Sequence, residues 1–166
     1  MRVRTERIFL FSMIISLCIF GCSGNEPKIV ATANQSASLV GQLPANPLHW
    51  KVITSTIDEA DSTMATLYGN DIAVQYVRAH STHDYPGGSV ISLVTWTQQE
   101  DPRWFGARIP ATVKSVEFVA VGTAADGGTS YSYTKYEGSP PKMSPGPVTG
   151  NERIAYLLSQ RAAVMP

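Results

Sequence analysis

The sequence predicts a mainly β domain, an antiparallel β-sheet finished by one C-terminal helix. Three observations carry this expectation. Between positions 50 and 136 the β-branched and aromatic residues fall in short runs, the composition that suits a pleated, half-buried surface. Turn residues punctuate those runs, most plainly Asp126-Gly127-Gly128. Only beyond the Pro- and Gly-rich stretch 138–150 does the apolar spacing change to that of a helix.

Taken in order, Trp50 to Thr56 is the first strand and Thr63 to Tyr68 the second. Gly69-Asn70-Asp71 breaks the pattern, as either a tight hairpin or a bulge. Ile72 to Val77 then resumes as strand, with Ile72, Val74 and Tyr76 on one side. Pro86-Gly87-Gly88 leads into Ser89 to Thr97, the most apolar strand, which holds Val90, Ile91, Leu93, Val94 and Trp96. Ser115 to Val121 and Thr129 to Tyr136 flank the hairpin signal, and the second of these sets Tyr131, Tyr133 and Tyr136 among small or polar residues. Four prolines and three glycines keep Gly138 to Gly150 from forming a regular element. Asn151 then suits an N-cap and Glu152 the positive end of a helix dipole. Ile154, Leu157, Leu158, Arg161 and Met165 trace one face of a helix of about 14 residues, apolar except for Arg161.

Ahead of this domain, Arg2, Arg4 and Arg7 precede an apolar run from Ile8 to Phe20. The run is shorter than the roughly 20 apolar residues a spanning helix needs and has the flanks of a secretory leader. It closes on Ile19-Phe20-Gly21-Cys22, which resembles a bacterial lipobox. Residues 1–21 are therefore expected to be a lipoprotein signal peptide and Cys22 the lipidated residue. Acyl chains at about 0.8 kcal/mol per buried methylene would hold it on a membrane. Ser23, standing where an aspartate is absent, points by resemblance to the outer membrane, with the domain in the periplasm. Residues 22–47, rich in Ser, Ala, Asn, Gln and Pro, are expected to be a flexible tether, leaving 48–166 as one domain.

The whole chain carries formal charge +0; the leader takes away three arginines and one glutamate, so the mature protein sits near −2. With no basic stripe, nucleic acid is not an expected partner. Cys18 leaves with the leader and Cys22 is acylated, so neither a disulfide, a thiolate metal site nor a cysteine nucleophile remains. A Gly-x-Ser-x-Gly elbow and a phosphate-cradling loop are likewise missing.

Leu67-Tyr68-Gly69-Asn70-Asp71-Ile72-Ala73, Tyr85-Pro86-Gly87-Gly88-Ser89-Val90 and Tyr131 to Glu137 together resemble the cytochrome P460 family over roughly Trp50 to Gly138. The resemblance implies an antiparallel β fold and a small periplasmic cytochrome that oxidises hydroxylamine or binds nitric oxide at a c-type haem. It also implies a Cys-x-x-Cys-His motif within Asn151 to Pro166 and a haem-crosslinking lysine. Neither is found: Ile154-Ala155-Tyr156-Leu157-Leu158-Ser159-Gln160-Arg161 has no cysteine or histidine, and Ile72 to Val77 has no lysine.

The residues left to carry chemistry are few. His80-Ser81-Thr82-His83-Asp84 is the densest polar group, a loop in which His80 and His83 are the candidate cofactor ligands. Two histidines without a third ligand do not make a metal site. His49 and Met143 are lesser candidates for haem iron. Gln98 to Arg108 places Glu100, Asp101, Arg103, Trp104, Phe105 and Arg108 in one loop. Arg103 and Arg108 are candidate clamps for carboxylates such as haem propionates. Glu100 or Asp101 would act as an acid or base if buried.

The expected function is that of a periplasm-facing lipoprotein with a small-ligand or accessory role in redox or nitrogen-oxide metabolism, without covalent haem. Its partners are the membrane, through the lipid, and a small ligand or periplasmic redox protein. The alternatives are an oxidoreductase holding non-covalent haem and acting on hydroxylamine or nitric oxide, and a non-catalytic interaction protein presenting the Arg103 to Arg108 loop.

Overall fold

The computed structural model describes residues 33–145 and 150–163. Its centre is a six-stranded sheet whose spatial order follows the chain: β1 (Lys51–Asp58), β2 (Thr63–Gly69), β3 (Val90–Glu100), β4 (Arg108–Thr123), β5 (Thr129–Glu137) and β6 (Lys142–Met143). Every neighbouring pair is antiparallel. Two helices interrupt the meander, α1 (Asp71–Ala79) between β2 and β3 and α2 (Gly150–Leu158) after β6. The mainly β architecture and its C-terminal helix are as the sequence predicts.

Both faces of the sheet are covered, which explains why the central strands read as nearly unbroken apolar runs rather than clean alternation. One face presents Ile53, Leu67, Ile91, Leu93, Val119 and Val121 to Val74 and Val77 of α1 and Leu157 and Leu158 of α2. The other gathers Val94, Trp96, Val113, Val116, Phe118 and Tyr136. Register explains the division: Leu93 pairs with Glu117 and Val94 with Val116, so successive pairs point to opposite faces.

Four elements differ from expectation. Residues 72–77 are helix, not strand. The Asn70 side chain accepts the Ala73 amide at 3.0 Å and caps α1, so Gly69-Asn70-Asp71 is neither hairpin nor bulge but a helix start. The buried residues are Ala73, Val74 and Val77, a helical spacing, while Ile72 is exposed. Gly69 is needed at this junction for space: a Cβ there would stand 2.9 Å from the Ile53 Cδ1 and 3.1 Å from the Val74 Cγ2.

Of the expected tether, residues 33–47 lie on the sheet. Ala37, Leu39 and Leu43 cover the second core face, and the Trp96 indole donates to the Ala37 carbonyl at 2.9 Å. The scattered apolar residues of this stretch are the lid that face requires. The leader, Cys22 and residues 23–32 lie outside the described residues.

The stretch 138–150 contains one short strand after all, since Lys142 and Met143 pair with Glu137 and Tyr136. Finally, α2 ends at Leu158, short of the expected length. Ser159 Oγ and Gln160 Nε2 both donate to the Tyr156 carbonyl, at 2.8 and 3.1 Å, and so cap the last turn. The chain then turns back so that the Ala163 amide bonds the Ile53 carbonyl of β1 at 2.8 Å. Arg161 is thereby outside the helix, and Met165 lies outside the described residues.

Candidate functional site

The end of α1 and the segment after α2 enclose a cleft of about 590 Å³. One wall is Val77, Arg78, His80, Ser81, Thr82 and His83; the other is Gln160 to Ala163. Two histidines and two arginines thus share one concavity, and both arginines stand without a carboxylate partner among the described residues. The arrangement follows from two local events already described. The Asn70 cap starts α1 so that it ends at Ala79, placing His80 as its C-cap. The Ala163 bond to β1 holds Arg161 and Ala162 opposite.

His80 is fixed in three ways. Its backbone amide bonds the Tyr76 carbonyl at 3.0 Å. Its ring stacks on Tyr76, with centroids 4.4 Å apart and planes 14° apart. Its Nδ1 lies 3.0 Å from the same carbonyl. A carbonyl only accepts, so Nδ1 carries the proton in the neutral ring and Nε2 keeps the lone pair. The Tyr76 hydroxyl is in turn tied to Thr82 Oγ1 at 2.7 Å, which shapes the loop that carries His83.

Behind this stack lies Tyr85, 5.3 Å from Tyr76 by ring centroids and 3 % exposed. Its hydroxyl has no hydrogen-bond partner among the described residues. Burial, and secondarily the neighbouring Tyr76, push its ionisation up to about 12.

A second polar cluster, not foreseen from the sequence, holds α2 to the sheet. Glu117 lies on the first core face and is 3 % exposed. Arg153 donates to it twice, Nε to Oε2 and Nη2 to Oε1, both at 2.7 Å. The Tyr133 hydroxyl donates to the same Oε2 at 2.6 Å. Burial alone would raise the Glu117 carboxyl. The Arg153 and Tyr133 hydrogen bonds and the Arg153 and Lys135 charges outweigh it and hold the carboxyl below the ordinary glutamate range. Burial first, and then the same hydrogen bond, push the Tyr133 phenol well above its usual range. The only sequence signal was an acid lodged between Val116 and Phe118 in an apolar strand.

The other candidates stand apart from the cleft. Arg103 and Arg108 belong to the far end of the β3–β4 hairpin and do not line it. Gln98, Gln99 and Glu100 are strand residues, so the true loop is only 101–107. Trp104 and Phe105 are exposed there. Asp101 is tied to the backbone of Arg103 and sits 3.7 Å from its side chain. His49 ends the 3-10 turn Pro47–His49 and is exposed, as is Met143 on β6. Among the described residues no three His, Cys, Asp or Glu gather as a metal site.

The residues present do not fit a c-type haem. Helix α2 and the segment to Pro166 contain neither cysteine nor histidine. A porphyrin held non-covalently needs broad apolar walls, whereas among the described residues the only large apolar side chain lining the cleft is Val77.

Among curated proteins, none matches the sequence. The family model for Cytochrome P460 matches residues 44–152, well over half of the chain. It spans the whole sheet, α1 and both cleft histidines, and stops one residue before Arg153. On this match, which covers well over half of its length, the chain belongs to the cytochrome P460 family.

Proposed function

We propose that this protein is a periplasm-facing lipoprotein, anchored through Cys22 to the outer membrane. Its P460-family domain binds a small anion as an accessory to redox or nitrogen-oxide metabolism, without covalent haem. The observation that carries the reading is the cleft in which Arg78 and Arg161 stand beside His80 and His83. Oxyanions are held by charge-assisted hydrogen bonds from guanidinium groups, which are shorter and stronger than neutral ones. The locked His80 ring can donate to an oxyanion from Nε2 only as the imidazolium, because an oxyanion has no hydrogen to offer a lone pair.

The cleft residues bind and orient; Tyr76 and Thr82 hold the histidine loop in shape. The test is calorimetric titration of the purified protein with sodium nitrite and sodium nitrate, beside Arg161→Ala and His80→Ala variants. Binding of at least one anion is expected, weakened about tenfold by Arg161→Ala, the loss of one charge-assisted hydrogen bond. A protein that binds neither anion but takes up haemin with a Soret band sensitive to His80→Ala would instead be a b-type haem protein.

A further inference from the structure

The tip of the β3–β4 hairpin is built to display two aromatic side chains. The Asp101 amide bonds the Ala107 carbonyl at 2.9 Å, the Arg103 amide bonds Asp101 Oδ1 at 2.8 Å, and the Ala107 amide bonds the Trp104 carbonyl at 3.1 Å. Gly106 completes the turn at φ +77°, a conformation that suits glycine. At the apex Trp104 is 71 % exposed and Phe105 fully exposed. Two adjacent large aromatics left in water by an ordered turn call for an occupant. Arg103 and Arg108 flank them on either side.

Where the chain begins its described course points to what that occupant is. The Asn34 side chain donates to the Pro110 carbonyl, two residues beyond Arg108 on β4. The following turn, Gln35–Ala37, also lies against β4. The segment arriving from Cys22 therefore joins the domain at the tip end of this hairpin, where Pro110 pairs with Gln98. Twelve positions separate Cys22 from Asn34, a reach of at most about 40 Å for any conformation.

We infer that the Trp104-Phe105 tip docks into the membrane surface beside the lipid anchor, with Arg103 and Arg108 on anionic lipid headgroups. The inference rests on the lipid-anchor reading above. Tryptophan is the side chain most suited to the membrane–water boundary, and arginine stems reach from that depth to phosphate. Docking would also restrict how the domain turns on its anchor.

The test uses the full chain extracted from membranes, with intact mass recording acylation at Cys22. It is placed in vesicles of phosphatidylethanolamine and phosphatidylglycerol, with and without bromine-labelled acyl chains. Emission from Trp104 is isolated by subtracting that of a Trp104→Phe variant, since Trp96 is buried and Trp50 half-buried. The expected result is a blue-shifted Trp104 component that loses most of its intensity to brominated chains. Phe105→Ser and Arg103→Ala with Arg108→Ala should reduce that loss. An acylated protein whose Trp104 emission stays water-like and is untouched by bromine overturns the docking while sparing the anchor. Shielding only in native membrane fragments, and not in pure lipid, overturns it in favour of a protein partner. Quenching in a chain whose mass shows no acyl group supports docking and overturns the anchor.

Discussion

Arg153 grips Glu117 through two parallel hydrogen bonds of 2.7 Å across 36 positions of sequence. One partner is an almost fully buried carboxylate on the central sheet; the other is a half-exposed guanidinium on the last helix. The pair fixes the start of α2, and the far end of that helix leads directly into one wall of the cleft.

Glu117→Gln should therefore destabilise the domain. Loss of one partner of a buried pair costs roughly 3–5 kcal/mol, but Arg153 keeps 39 % of its side-chain exposure, so about 2 kcal/mol is expected after solvent screening. Urea unfolding at pH 7 checks the figure. Arg153→Leu should cost at least as much, because the carboxylate it abandons is the buried member.

The same pair has a signature in acid. A glutamate whose folded-state ionisation is depressed stabilises the protein fully above its unfolded value, about 4.3. That contribution fades as pH falls below this value toward the folded one. The stability gap between the parent protein and Glu117→Gln should thus be level from pH 7 to 5 and narrow below about pH 4.3. A gap that stays constant to pH 3 contradicts the assignment.

Tyr85 predicts the opposite kind of outcome. Its buried hydroxyl lacks a partner, so Tyr85→Phe should be neutral or stabilising by up to about 1 kcal/mol. In spectrophotometric titration the parent should retain phenols that stay neutral beyond pH 11, Tyr85 at about 12 and Tyr133 well above its usual range, and Tyr85→Phe should have one fewer of them. A marked loss of stability in Tyr85→Phe would mean that the hydroxyl is engaged by a bound water or ligand.

Asn70 is the most economical point at which to break the fold around the cleft. Its side chain caps α1, donates to the Gly88 carbonyl at 2.8 Å and accepts the Val90 amide at 3.2 Å. Asn70→Ala should cost about 2 kcal/mol, the upper end for a cap. Asn70→Asp keeps the acceptor and loses the donor to Gly88, so thermal unfolding should place it between the two.

How much of this was legible in the sequence depended on the range of the interactions involved. The hairpin at Asp126-Gly127-Gly128 was plain because its cause is local: Asp126 Oδ1 accepts the Gly128 amide within the turn itself. Helix α1 is hidden in the sequence because Ile72, Val74 and Tyr76 alternate as a strand would, and the deciding contact is the Asn70 cap, which a nine-residue stretch does not advertise. The cover of the second core face is not legible because Ala37, Leu39 and Leu43 are too sparse to show a period. His80 and His83 stood out as a cluster, but the Arg161 wall opposite them depends on a tail that returns to β1. Glu117 could not be matched with Arg153 without knowing where α2 lies.

The proposed absence of covalent haem from this family scaffold is the central point to test. Intact mass of the full chain, produced in cells able to mature c-type cytochromes and purified from their membranes, tests this most directly. The expected mass is the processed polypeptide with acyl groups on Cys22 and no further increment, together with no Soret absorption. A haem-sized increment that survives denaturation would contradict the account.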